Sequence, residues 1–143
     1  MIFPKAFFDR ARCASVEKFE AVPLASAIVR LALKARRCGL LSLEEDAAVI
    51  ESDLLRIGLV MIVDGVDPSR VEELLMTRIQ VQNISGVRLL CSMIVMDGLL
   101  AIQQGEEPWL IRLRIMNYFG EDAAMHDSDV AAVRTDEIYP RRR

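Results

Sequence analysis

The sequence predicts an all-α fold, a compact bundle of short helices, and three observations carry that expectation. Apolar residues recur at spacings of three and four rather than two. The β-branched alternation that strands need is sparse. One instruction to stop a helix and start the next is written twice. The second copy, GLLAIQQGEEPW from Gly98 to Trp109, echoes GLVMIVDGVDPS, in which Gly58, Leu59, Ile62, Gly65, Asp67 and Pro68 answer Gly98, Leu99, Ile102, Gly105, Glu107 and Pro108. In each copy a glycine closes one helix and an acid is placed to accept from the free amides of the next. A proline, which has no amide hydrogen to lose, fits the first helical position.

Taken in order, the N-terminal MIFPKAFFDRAR carries Ile2, Phe3, Phe7 and Phe8 but also Asp9. It lacks the continuous apolar core of a signal peptide and is expected to be retained. Its three phenylalanines are expected to pack over the end of the bundle. The alternative is a sticky patch beside Lys5, Arg10 and Arg12, suited to a partner helix or a membrane surface. A helix starting near Pro23 carries Ala25, Ile28, Val29 and Ala32 on one stripe and Arg30, Lys34 and Arg37 on another. Gly39 closes it behind Lys34, Arg36 and Arg37, where the helix dipole favours cations.

Ser42-Leu43-Glu44-Glu45 reads as a capping box opening the next helix. Ser52 or Asp53 then begins a helix over Leu54 to Val63, with Leu55, Leu59 and Ile62 facing inward. After the first elbow, Val71, Leu74, Leu75 and Ile79 form the apolar face of the following helix. A polar break at Gln82 to Gly86 precedes an apolar helix from Val87 to Gln103, and the second elbow leads into one carrying Leu110, Ile111, Ile115 and Tyr118. Trp109 is read as a core or interface anchor. Residues 1–119 therefore form one helical domain in which the helix pairs at 54–80 and 87–119 pack on each other, since two copies are too few for a solenoid. From Gly120 onward the acids Glu121, Asp122, Asp127, Asp129, Asp136 and Glu137 precede Arg141-Arg142-Arg143, so 120–143 is expected to be a flexible tail.

The totals narrow the function classes. The 143 residues suit one domain, and the apolar share of 52% exceeds the ordinary level of about 45–50%, which favours burial against a partner or a second copy of the chain. A net charge of −3 and a pI near 5.2, with no Lys and Arg cluster, set nucleic acid aside. Cys13, Cys38 and Cys91 are far apart and His126 is the one histidine, so neither a metal site nor a cofactor is expected. The thiols are expected to be free in a reducing cytoplasm. No uncharged run approaches the roughly 20 residues of a membrane helix. Glu44, Glu45 and Asp46 occupy consecutive helical positions that point in different directions, with no partner base, and an enzyme is not expected.

Three segments also carry a resemblance. KARRCGLLSLEE at 34–45, LLRIGLVMIVDGVDP at 54–68 and GLLAIQQGEEP at 98–108 resemble, in the same order, the cytoplasmic portions of the flagellar stator channel subunit, the motility protein A family. The resemblance covers about residues 5 to 119. Family members have two membrane helices before the first motif and two more between the second and third. Here PKAFF resembles the stub of the first pair, and a few residues around Gln82 to Gly86 stand in place of the second. The family's ion path runs along those helices, so the resemblance implies a protein that is not itself an ion channel.

Carried over by position, Arg36 and Glu44 match the charges that in the family face the rotor switch protein, and Arg37 and Glu45 are neighbours of the same sign. The expected role is that of a soluble, non-enzymatic, stator-like protein at the cytoplasmic face of a bacterial flagellar motor. It would bind rotor switch protein, stator components or another copy of itself, with peripheral placement at the basal body. A cytoplasmic adaptor or regulator that keeps the scaffold without contacting the rotor is the alternative.

Overall fold

The longest of the described helices, an apolar one, occupies the centre of the bundle. The structure, a computed structural model, describes residues 3–132, all of whose regular elements are helical. Ile2 and the stretch 133–143, including Asp136, Glu137 and Arg141-Arg142-Arg143, lie outside the described residues. The α-helices are α1 (Lys5–Arg10), α2 (Val22–Cys38), α3 (Glu44–Ala47), α4 (Asp53–Val63), α5 (Pro68–Gln82), α6 (Gly86–Gln103), α7 (Pro108–Met116) and α8 (Ala123–Ala132), with 3-10 turns at Ser15–Ala21, Leu40–Leu43 and Asn117–Asp122. Helix α6 packs against α1, α2, α4, α5 and α7, and every residue from Met93 to Ile102 is buried. A helix enclosed on all sides must be apolar on all sides. By length and composition α6 is the one described helix able to cross a membrane, yet 72% of it is buried inside the bundle.

Two glycines set how closely these helices approach. A Cβ added at Gly98 would lie 2.5 Å from Cγ2 of Ile28 on α2, and one added at Gly58 would collide with the Leu99 side chain of α6. These are the matching glycines of the two repeat copies. Each marks a crossing, α4 on α6 at Gly58 and α6 on α2 at Gly98, where the missing side chain leaves room for a fully buried leucine or isoleucine.

The elbows are the same motif twice. Gly65 donates to the carbonyl of Ile62 and Val66 to that of Met61, and Gly105 and Glu106 repeat this with Ile102 and Ala101. This is the Schellman pairing, which requires a left-handed residue, and both glycines supply it, at φ 77° and 72°. Each next helix opens on its proline, with the carbonyl of Asp67 or Glu107 accepting from the amides three and four residues on. The acid side chains do not cap as expected: the Asp67 carboxylate accepts from the Ser69 hydroxyl, and Glu107 turns to Arg36. Gln103 Nε2 donates to the Val66 carbonyl at 2.6 Å, which ties one elbow to the other.

Three sequence expectations change. No capping box forms at Ser42, because the chain after Gly39 enters a 3-10 turn that runs straight into α3. Ser42 Oγ instead donates to the Gly39 carbonyl at 2.6 Å. Leu74 is exposed, while Val71, Leu75 and Ile79 form the buried stripe of α5. The flexible tail does not begin at Gly120, since α8 packs on α2 and the helical domain runs on through Ala132. Phe119, His126 and Val130 are buried, with the imidazole edge-on to Phe19 at 4.4 Å and beside Phe119 at 5.0 Å. Two of the acids that suggested disorder are paired, Asp122 with Lys18 at 3.0 Å and Asp127 with Arg112 at 2.8 Å.

Replacing Gly98 with alanine is expected to destabilise the protein by about 2 kcal/mol, because the β-branched Ile28 cannot withdraw its Cγ2 without leaving its rotamer. Urea unfolding measures it, and a neutral result would mean that α6 and α2 do not meet as closely as described. A second expectation concerns pH. Hydrogen bonds from Lys18 and Ser15 hold the Asp122 carboxyl below its ordinary 3.8. A depressed folded-state pKa stabilises above the ordinary value and is lost as pH falls below it. The thermal midpoint should therefore drop between about pH 5 and pH 3, and drop less in Lys18→Met.

Candidate functional site

The charged elbow between α2 and α3 is built by helix ends. Arg36 and Arg37 occupy the last turn of α2, where unpaired carbonyls favour cations, and Glu44 and Glu45 the first turn of α3, where free amides favour acids. Gly39 separates them. Buried Leu43 anchors the 3-10 turn against the core, and the acidic turn returns beside the basic one. All four charged side chains are exposed.

Their partners divide them. Lys34 bridges the elbow, pairing with Asp46 at 2.8 Å and with Glu45. Burial works against the Lys34 ammonium, but the hydrogen bonds to Asp46 and Glu45 outweigh it and raise its pKa, and Lys34 in turn lowers that of the Glu45 carboxyl. Arg36 pairs with Glu107 at 2.5 Å, which brings the second Gly-x-acid-Pro elbow onto the same surface. Arg37 and Glu44 make no ion pair among the described residues. Exposed pairs of this kind contribute about 0–1 kcal/mol, so a charged partner displaces them at little cost.

The aromatic candidates separate as well. Phe3 and Phe7 are 3% and 4% exposed and stack at 5.6 Å, so they belong to the core and present no contact surface. Phe7 lies on α1, which packs on α6, with Phe3 just ahead of the helix against its ring, while Phe8, the next residue along α1, is left 46% exposed. Trp109 is 66% exposed and does not anchor the core; with Leu113 one turn on, it edges a shallow groove between α7 and α8.

One cluster escaped the sequence reading. Asp97 is 4% exposed in the middle of α6 and accepts from Arg114 at 3.1 Å and from the Tyr118 hydroxyl at 2.5 Å, while Arg114 also reaches Glu106 at 3.2 Å. Burial, followed by the bond to Asp97, pushes the Tyr118 phenol far up, so it stays a donor. A lone acid inside the apolar run 89–102 was the available signal, because a buried carboxylate needs partners from elsewhere. The thiols form no disulfide: Cys38 is exposed, and burial pushes Cys91 up to about 11. Among the described residues no group of three or more His, Cys, Asp and Glu is placed to hold a metal ion.

The chain matches no protein-family model and no curated protein. The class that fold and site define is accordingly a coarse one, an all-helical bundle with an exposed charged elbow.

Removing the Asp97 carboxylate in Asp97→Ala orphans the Tyr118 hydroxyl and one arm of Arg114, and is expected to cost about 2–3 kcal/mol, below the range for a fully buried pair because Arg114 is partly solvated. Asp97→Asn keeps an acceptor for Tyr118 and should lose less. Chemical denaturation of both variants checks the order, and equal losses would contradict it.

Proposed function

We propose that this chain is a non-enzymatic, stator-like binding protein that works at the cytoplasmic face of a bacterial flagellar motor, presenting the charged elbow to the rotor switch complex or to stator components. The observation that supports the reading most is the exposure of Arg36, Arg37, Glu44 and Glu45 together, on the two sides of one glycine, at the end of a long helix held rigidly by the core. The motif in which they lie is the one that resembles the rotor-facing segment of the motility protein A family. Opposite charges at fixed separation suit a partner of complementary pattern, for which they supply specificity and association rate more than affinity.

A specific observation also favours the second reading. Arg36 and Glu45 are engaged within the chain, by Glu107 and Lys34. An adaptor that retained the stator scaffold without touching the rotor would have its charges satisfied in this way.

The experiment separates the two. Tagged protein is recovered from its own host, and Arg37→Glu and Glu44→Lys, which leave the internal pairs untouched, are compared with the parent chain at low and high salt. Under the stator-like reading, rotor switch or stator proteins are captured, each reversal weakens capture by about tenfold at low salt, and the difference shrinks as salt screens it. Capture of no motor component, or capture indifferent to both reversals at low salt, removes that reading. Sedimentation tests self-association, and a strict monomer at tens of micromolar excludes it.

A further inference from the structure

Helix α7 is apolar on two sides. Ile111 and Ile115 are buried against the core, while Trp109 and Leu113, one turn apart on the other side, are exposed. A helix that is apolar all round is ordinarily covered all round, and the second side of α7 is open among the described residues. Beside these two side chains runs the groove between α7 and α8, of about 350 Å³, lined also by Met116 and by the small Ala123 and Ala124. A projecting indole and a shallow recess thus lie side by side on one surface.

The charges on this surface are Arg112 and Asp127, paired at 2.8 Å and both partly exposed. The pair is neutral, so it gives no attraction to a partner of either net charge. To a second copy of itself it is complementary, because a twofold axis passing beside it sets each arginine near the other copy's aspartate. Tryptophan and arginine are also the residue types in which the energy of protein contacts concentrates.

We infer that two copies of the chain pair through this face about a twofold axis, Trp109 of each entering the groove of the other, with the Arg112 and Asp127 pairs meeting beside it. The contact uses none of the four elbow charges and stands whether or not the chain works at a motor.

Trp109 is the one tryptophan of the chain, so intrinsic fluorescence reports its burial directly. Sedimentation and emission of the full chain are followed from below one micromolar to several hundred micromolar. The expected result is a dimer that predominates by tens of micromolar, with emission moving to shorter wavelength in step with its formation. Trp109→Ala and Leu113→Glu, both at exposed positions, should each weaken pairing by about tenfold or more, with the thermal midpoint of the dilute monomer unchanged. Arg112→Asp and Asp127→Arg should each lose self-pairing, since like charges then meet across the axis, and a mixture of the two should form a one-to-one heterodimer. Damage to the fold would not be repaired by mixing. A chain that stays monomeric at several hundred micromolar, a dimer whose emission does not shift, full association in Trp109→Ala, or a mixture of the two folded charge variants that stays monomeric would each overturn the assignment. Short-wavelength emission at every concentration would overturn it too, since the indole would then be covered within its own chain.

Discussion

The close approach of α6 to α2 at Gly98 and to α4 at Gly58 is the constraint on which the other contacts depend. At each crossing a fully buried side chain, Ile28 or Leu99, fills the space that a Cβ would need. Helix axes normally keep 8–10 Å apart because side chains separate them, and a glycine removes one such spacer. With α6 drawn in, its whole circumference becomes interior, and the elbows at both repeats are brought near enough for Gln103 to bond the Val66 carbonyl. Small residues at a crossing thus decide the register of the two helix–elbow–helix units as well as their distance.

Enclosing α6 has an electrostatic consequence. Asp97 cannot reach water, so its carboxylate draws Arg114 and Tyr118 across from α7 and the turn after it, and Arg114 in turn holds Glu106 of the second elbow. The network fastens α7 to α6 by polar contacts where the apolar stripe of α7, Ile111, Ile115 and Met116, is short. It also furnishes one wall of a cavity beneath α1. At the opposite extreme, the elbow between α2 and α3 has its charges in water, where pairs are weak and exchangeable. The molecule therefore carries one polar cluster that is structural, because it is dry, and another that is available to a partner, because it is wet.

Legibility followed the range of the interaction. The elbows could be read in Gly65-Val66-Asp67-Pro68 and Gly105-Glu106-Glu107-Pro108, since a left-handed turn and a proline start depend on a few adjacent residues. The stretch from Gly120 to Ala132 reads as part of a tail yet is helical, because Asp122 and Asp127 look solvated until Lys18 and Arg112, distant in sequence, are found beside them. His126 is likewise followed by the polar Asp127-Ser128-Asp129, and Phe19 and Phe119 close over it only in the folded chain. Ser42 illustrates the reverse case: a correct local pattern, serine followed three residues on by glutamate, was overridden once burial of Leu43 drew the turn into 3-10 form.

The sequence by itself determined the helical class, the two elbows, the inward stripes of α4 and most of α5, and the clustering of opposite charges around Gly39. All of these rest on backbone stereochemistry and on periodicity within a single segment. Only the tertiary structure decided that Gly58 and Gly98 are crossing points, that Phe3 and Phe7 are core while Phe8 and Trp109 are surface, and that Asp97 has partners. It likewise decided that Arg36 meets Glu107 and that a cavity lies under α1. These depend on which segments meet, and that outcome is set by the packing of all the apolar faces at once, which no single stretch of chain contains.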